Sequence, residues 1–334
     1  MRPDRGGKLR AKGWGRRLRP CVFLLLLAGC TATPRWDRDR LSEAVPPFLT
    51  GCAAMADPGA LARACAAAAR LPAGDESAAR AFFTAYFEAA PAGEGLITGY
   101  YEPVLRVSAI RAPGFTAPLL ALTEAPDLPR AAIEAAVEVG AWPGAVLAWA
   151  DPVDAFFLQI QGSGRAVFPD GRERRLGYAG KNAQPYIPIG RLLIERGAMT
   201  REQVSMDSLR AWLHAAPPLE AKALMEANPS WVFFRWRDDL PPDGGPAGTL
   251  GAPLTPGRSA AVDRTHVALG LPLWIAARHP LTGGALDRLV IAQDTGGAVR
   301  GPARADLFWG WGDEVGLAAG RMRETGRIWV LRPR

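Results

Sequence analysis

Three stretches of this 334-residue chain gather side chains that can move protons, hold hydroxyl groups and stack against flat apolar surfaces. The first is Gly99-Tyr100-Tyr101-Glu102-Pro103. The second runs from Asp154 to Arg165 (DAFFLQIQGSGR) and is followed by Gly177 to Asn182 (GYAGKN). The third joins Val262-Asp263-Arg264-Thr265 to Ala292–Gly301 (AQDTGGAVRG) and Ala305–Gly312 (ADLFWGWG). Each has an ordinary structural reading when taken alone. Tyr and Trp near strand ends pack cores and rims, Asn, Gln and Ser beside Gly build turns, and loop aspartates cap backbone amides. Their co-occurrence argues for more. Aromatic faces combined with amides, hydroxyls and carboxylates suit a carbohydrate, and the chain holds eleven tryptophans to supply such faces.

The elements that must position these groups follow from periodicity. Ala60 to Leu71 and Ser77 to Ala90 carry helical apolar spacing, and residues 95 to 103 predict a strand ended by Pro103. Leu128 to Val139 predicts a helix and Phe156 to Ile160 a short buried strand. Two or three helices are expected between Gly190 and Met225, with Thr200 and Asp207 as caps. Trp231 to Trp236 reads as a strand. The turn formers from Pro241 onward mark a boundary. After about residue 250 the pattern becomes short strands between Gly and Pro, at Leu273–Ala277, Arg288–Gln293, Ala305–Trp311 and Gly326–Leu331, which is barrel-like.

The net charge of +7 invites a polyanion partner, but its distribution argues against one. Eight basic residues and one acid precede Cys30. Removing them from totals of 40 and 33 leaves 32 of each sign, so the body is neutral and no nucleic-acid partner is expected. The basic segment ends at Arg19 and is followed by the apolar run Cys21–Ala28, too short to span a bilayer and suited to a signal-peptide core. Leu27-Ala28-Gly29-Cys30 resembles a lipobox, which makes residues 1–29 a lipoprotein signal peptide and Cys30 the lipidated residue. Ordinary cleavage within Thr31-Ala32-Thr33 is the alternative and would give a soluble periplasmic protein. Thr31 in place of an aspartate favours the outer membrane. Residues 30–45 read as a tether. Cys52 and Cys65 are an even pair in an oxidising compartment, as a disulfide or as two buried thiols. Three scattered histidines and no CxxC pair give no expectation of a metal or other cofactor.

Asp263, Asp294 and Asp306, in the contexts VDRT, QDTGGAVRG and RADLFWGWGDE, are similar to the three aspartates of the 3D domain. GYYEP, FFLQIQGSGR, YAGKNAQPYIPIG and NPSWVFFR likewise resemble blocks of the MltA lytic transglycosylases, in the same order, so that the likeness spans about residues 95–332. The resemblance implies a mainly β fold with some α: a double-psi β-barrel from residues 46–103 and 247–334, holding the 3D domain at about 255–332. A smaller β-rich domain, 104–246, is inserted between them, with a glycan groove in the cleft.

The resemblance also implies a reaction on peptidoglycan glycan strands. A single acid, Asp306 by its position in the motif, protonates the bond between N-acetylmuramic acid and N-acetylglucosamine, then as carboxylate takes the proton of the muramyl C6 hydroxyl that closes a 1,6-anhydro ring. Leu307, Phe308 and Trp309 disfavour the charged form of Asp306, and strand alternation places Phe308 on its face. Asp294 is expected to orient the site or bind sugar, and Asp263 to be a structural residue ion-paired with Arg264. Tyr100, Gln159, Gln161, Ser163 and Asn182 are expected to line the groove. Partners implied are the glycan strands, the outer membrane through the lipid anchor, and cell-wall synthesis or hydrolysis complexes. Two rival readings stand beside this: a hydrolase using Asp294 and Asp306 as its carboxylate pair, and a non-catalytic glycan-binding lipoprotein.

Overall fold

The computed structural model describes residues 34–123, 127–240 and 244–334. The leader and Cys30 lie outside them, as does part of the boundary at Pro241. Among the described residues no helix is long and apolar enough to cross a membrane. The chain begins with α1 (Val45–Ala54), α2 (Ala62–Ala68) and α3 (Glu76–Tyr86) and then enters the long strand β1 (Phe87–Glu102). Next come β2 (Val104–Ser108), β3 (Ala117–Leu120), α4 (Arg130–Glu138), β4 (Val146–Ala150), α5 (Pro152–Gln161), β5 (Gly164–Val167) and β6 (Glu173–Lys181). Helices α6 (Ile189–Glu195), α7 (Met206–Ala215) and α8 (Pro218–Glu226) lead to β7 (Val232–Trp236). The last part holds β8 (Ser259–Val262), β9 (Pro272–Arg278), β10 (Ala285–Asp294), β11 (Ala305–Trp311), α9 (Asp313–Arg321) and β12 (Arg323–Pro333).

Six strands close into a barrel in the order β1-β11-β8-β10-β9-β12, with β12 returning to β1. The β1/β11 and β10/β8 pairs are parallel and the rest antiparallel, in keeping with the double-psi expectation. A second sheet runs β3-β4-β2-β5-β6-β7. The fold is mainly β with some helix.

Side-chain alternation divides the barrel wall. Ile97, Val262, Ile275, Val290, Ala305 and Leu307 fill the interior, so their neighbours in sequence face outward. One part of the outer wall, formed by Trp274, Leu289, Ile291, Trp329 and Leu331, is covered by the N-terminal helices through Phe48, Phe82 and Phe83. Each such buried side chain contributes about 1.5–3 kcal/mol. Cys52 and Cys65 form a disulfide between α1 and α2. Closing a loop of that size contributes about 3 kcal/mol by restricting the unfolded chain.

Four local expectations need correction. Residues 34–45 are not a free tether over the described part. Trp36 packs near Trp274 with ring centroids 5.8 Å apart, Leu41 is buried, and Asp39 pairs with the buried Arg258 at 2.6 Å. Phe156 to Ile160 is not a strand but part of α5. Asp151 caps that helix by accepting from the amides of Val153 and Asp154, Pro152 opens it, and Gly162 at φ +84° ends it. The helix expected over Ser77–Ala90 stops at Tyr86, because Phe87 pairs with Pro333 and enters the aromatic cluster of Phe48, Phe82 and Phe83. Helix α7 is capped by Ser205, in a reciprocal pair with Ser208, rather than by Asp207.

Candidate active site

Asp306 lies on the outer wall of the barrel in a row set by strand register. Thr98 of β1 stands opposite Asp306 of β11, Asp306 opposite Ala261 of β8, and Ala261 opposite Asp294 of β10. Two neighbouring-strand steps separate the two aspartates, about 10 Å between their backbones. Ala261, whose side chain is a single methyl group, is the register partner of both aspartates. One position further along, Tyr100 stands opposite Phe308, and their rings lie 5.3 Å apart. Phe308 is therefore on the same face as Asp306, and it is fully buried beneath Tyr100.

The two carboxylates are held differently. Asp306 Oδ1 accepts a 2.6 Å hydrogen bond from the Thr98 hydroxyl. Burial raises its pKa above the ordinary carboxylate value, and the nearby Asp294 charge adds to the rise; the Thr98 hydrogen bond and Arg304 oppose it without cancelling it. The neutral acid is thereby favoured more here than at a solvated carboxylate. Asp294 has both oxygens occupied: Oδ2 accepts from the Tyr100 hydroxyl at 3.0 Å, and Oδ1 from the Thr249 amide and hydroxyl at 2.9 and 2.8 Å. Gly248 makes this approach feasible, since a Cβ there would meet the Gln293 carbonyl oxygen at 2.4 Å. Burial and the two aspartates push the Tyr100 phenol well above its usual pKa, so it stays a donor. A second close approach occurs at Gly99, where a Cβ would meet the Trp309 ring at 2.5 Å. That glycine lets Trp309 fold against β1 on the face opposite Thr98 and Tyr100.

Asp263 follows β8 and is not ion-paired with Arg264. Its Oδ1 accepts from the Thr265 amide and hydroxyl at 3.1 and 2.7 Å and its Oδ2 from the Gly301 amide at 2.8 Å. These donors, led by Gly301, lower its pKa to about 2. Arg264 is exposed while Asp263 is buried, and backbone amides need its charge more than a solvated guanidinium does. Asp263 thus pins the loop that carries Gly301 and leads into β11.

The amides expected to line a groove divide into two groups. Asn182 is 1% exposed, and its side chain is consumed by backbone: it donates to the carbonyls of Leu128 and Pro229 and accepts from the Trp231 amide. Gln159, 7% exposed, accepts at 2.6 Å from the buried Arg130 and borders a cavity of about 660 Å³ within the second sheet's helices. Asn182 is held by buried backbone groups and Gln159 Oε1 by a buried guanidinium, as buried polar groups require. Gln161 and Ser163 are half-buried and flank Gly162, in the turn whose Arg165 amide bonds Pro103 at the end of β1. That places them at the seam between the barrel and the second sheet. Tyr100 alone among the five joins the aspartate row.

Three residues of the site escaped the sequence reading: Thr98, Thr249 and Arg304. Arg304 Nη2 donates to Thr98 Oγ1 at 2.8 Å. Thr98 had a usable signal, since it lies two residues before Tyr100 on the same strand face. Thr249 sat unnoticed among turn formers. Among the described residues no group of three or more His, Cys, Asp or Glu side chains is placed to hold a metal ion.

The chain matches the MltA specific insert domain over residues 123–235 and the 3D domain over residues 258–332. It is 34% identical to the membrane-bound lytic murein transglycosylase A of Vibrio cholerae over 286 residues, covering 82% of this chain and 71% of that protein. Its fold is similar to the crystal structure of a membrane-bound lytic murein transglycosylase from Agrobacterium tumefaciens (TM-score 0.80, 30% identity, 91% and 96% of the two chains). It is also similar to Escherichia coli MltA with bound chitohexaose (TM-score 0.73, 29% identity, 87% and 90% of the two chains).

Proposed function

The chain belongs to the membrane-bound lytic murein transglycosylase A family, and from that premise we propose that Asp306 alone is its acid and base. As a neutral acid it protonates the oxygen leaving C1 of N-acetylmuramic acid. The C1–O bond breaks through an oxocarbenium-like state, and the leaving sugar departs carrying that proton. The Asp306 carboxylate then removes the proton of the muramyl C6 hydroxyl as O6 bonds to C1. The product is a 1,6-anhydro ring, the acid is restored, and no water is consumed. Attack from within the same sugar replaces an external nucleophile by positioning.

The observation that carries this reading is the asymmetry of the two carboxylates. Asp306 is desolvated with a raised pKa, whereas both oxygens of Asp294 are filled by donors from Tyr100 and Thr249. A carboxylate with both oxygens engaged is a poor nucleophile or base, which disfavours the two-carboxylate hydrolase. Its fixed charge instead supports protonation of Asp306 and attracts a developing oxocarbenium ion. The bound chitohexaose of the E. coli relative supports a glycan strand as ligand.

Mass spectrometry of the muropeptides released from purified sacculi tests the reaction. Anhydromuramyl ends are expected. Reducing muramic acid ends would establish a hydrolase, and binding without release would establish a glycan-binding protein. We further propose that Cys30 is lipidated and holds the enzyme at the outer membrane, within reach of the sacculus. The relatives' designation as membrane-bound and the Leu27–Cys30 segment support this. Cys30→Ala is expected to move the protein from the membrane to the soluble periplasmic fraction, and its retention at the membrane would refute the anchor.

A further inference from the structure

The reading of Asp306 as acid leaves open which of its two oxygens carries the proton, and the neighbouring hydrogen bonds answer it. A guanidinium can only donate. Arg304 Nη2 donates to Thr98 Oγ1 at 2.8 Å, so that oxygen is an acceptor in this bond. Thr98 has one hydroxyl proton, and its remaining contact is Asp306 Oδ1 at 2.6 Å. Among the described residues the acceptor within reach of that proton is Asp306 Oδ1. With Oδ1 accepting, the single proton of the carboxylic acid is best placed on Oδ2.

We propose that Arg304 and Thr98 form a directional relay that fixes the acid proton of Asp306 on Oδ2, making both of them positioning residues for the proton transfer. Among the described residues no group donates to Oδ2, so that oxygen is available to the glycosidic bond. The same relay serves the second half of the reaction. Once Oδ2 has given up its proton, the Thr98 hydroxyl and the Arg304 charge stabilise the carboxylate. The basic oxygen offered to the C6 hydroxyl is again Oδ2. One oxygen therefore both delivers and collects, and the sugar need not shift between the steps.

The relay is rigidly mounted. Thr98 and Asp306 are register partners on parallel strands. Arg304 is half-buried, bonds the Leu96 carbonyl, and has its pKa lowered by burial, with Asp306 as its opposing charge. The other titratable groups around Asp306 are Asp294 of β10 and Tyr100 of β1, which bond each other. Arg323 of β12, in register with Thr98, is exposed to solvent.

The test measures kcat, KM and the pH profile on purified sacculi for Thr98→Val, Thr98→Ser and Arg304→Gln, with circular dichroism to confirm folding. Valine keeps the shape and strand propensity of threonine and removes only the hydroxyl. Thr98→Val is expected to lower kcat by about 10- to 100-fold, the range for losing one hydrogen bond to a charged group, with KM little changed. Because the lost hydrogen bond favoured the carboxylate, the limb on which activity falls with rising pH should move to higher pH. Thr98→Ser should recover most of the loss. Arg304→Gln can accept the Thr98 proton and let it turn away from Asp306, so it should behave like Thr98→Val.

Wild-type kcat and an unmoved limb in Thr98→Val would overturn the relay. So would a Thr98→Ser variant as impaired as Thr98→Val, which would mean that packing and not the hydroxyl matters. The relay rests on Asp306 being the acid, and the two ideas fail separately: full activity in Asp306→Asn would remove the acid assignment itself, whatever Thr98 does.

Discussion

Asp306→Asn is expected to release anhydromuramyl products from sacculi at least about 10²–10⁴-fold more slowly than the unaltered enzyme, the usual worth of a positioned general acid. The amide preserves volume and can still accept from Thr98, so circular dichroism and thermal melting should be unchanged. Only the proton is lost, and in the proposed mechanism the same group serves twice, as donor to the leaving oxygen and as acceptor from the C6 hydroxyl. Activity within a fewfold of normal would end the single-acid mechanism. The pH dependence follows from the direction of the Asp306 shift. The acid must be protonated to act, and burial together with Asp294 raises its pKa. Activity should therefore persist above the ordinary carboxylate range and fall as pH rises through the raised value. Asp294→Asn removes a negative charge that favoured protonation, so this limb should move to lower pH. Movement to higher pH would show that Asp294 acts on Asp306 in some way other than by its charge.

Glu102→Gln is expected to cost about 3–5 kcal/mol of stability, far more than a surface ion pair would. Glu102 is 1% exposed and ends β1 at the point where the chain leaves the barrel. Its carboxylate lies between two buried guanidiniums, 3.0 Å from Arg165 and 3.1 Å from Arg175, both carried by the second sheet. Arg165 also donates to the Gly244 carbonyl, where the chain returns, and stacks 4.2 Å from the Trp311 ring at the end of β11. Glutamine fills the same space but removes the one buried carboxylate that both cations share, leaving Arg165 its more exposed partner Glu173. Urea unfolding of purified Glu102→Gln against the parent measures the cost. A loss below about 1 kcal/mol would mean that this network contributes no more than exposed pairs do.

Much of the barrel could be read from the residues, because strands between Gly and Pro punctuation leave a local signature. Ala305–Trp311 was bounded correctly, and the shared face of Asp306 and Phe308 followed from simple alternation. The α5 segment reads as a strand because four consecutive buried residues, Phe156–Gln159, leave too short a polar face to reveal a helical period. Asn182 looked like a sugar-binding amide, yet an amide that satisfies buried backbone has the same sequence context as one that meets a ligand. Thr98 and Arg304 gained their roles only through register between strands about two hundred residues apart, and no local pattern encodes that register. The ordering of residues 34–45 was hidden for the same reason, since Asp39 looks like any solvated acid until Arg258 arrives beside it.

The parallel pairing of β1 with β11 also governs when the protein becomes dangerous to its surroundings. Thr98 and Asp306 are separated by 208 positions, with the whole second sheet threaded between them. A chain made or exported from its N-terminus offers Thr98 and Tyr100 early but holds no acid until β11 has inserted between β1 and β8. Contacts this distant in sequence are slow to form, because loop closure precedes any gain from them. With Asp306 as the proposed acid, bond-cleaving capacity is expected only at barrel closure, and an unfinished or clipped chain lacking β11 should be inert toward the wall.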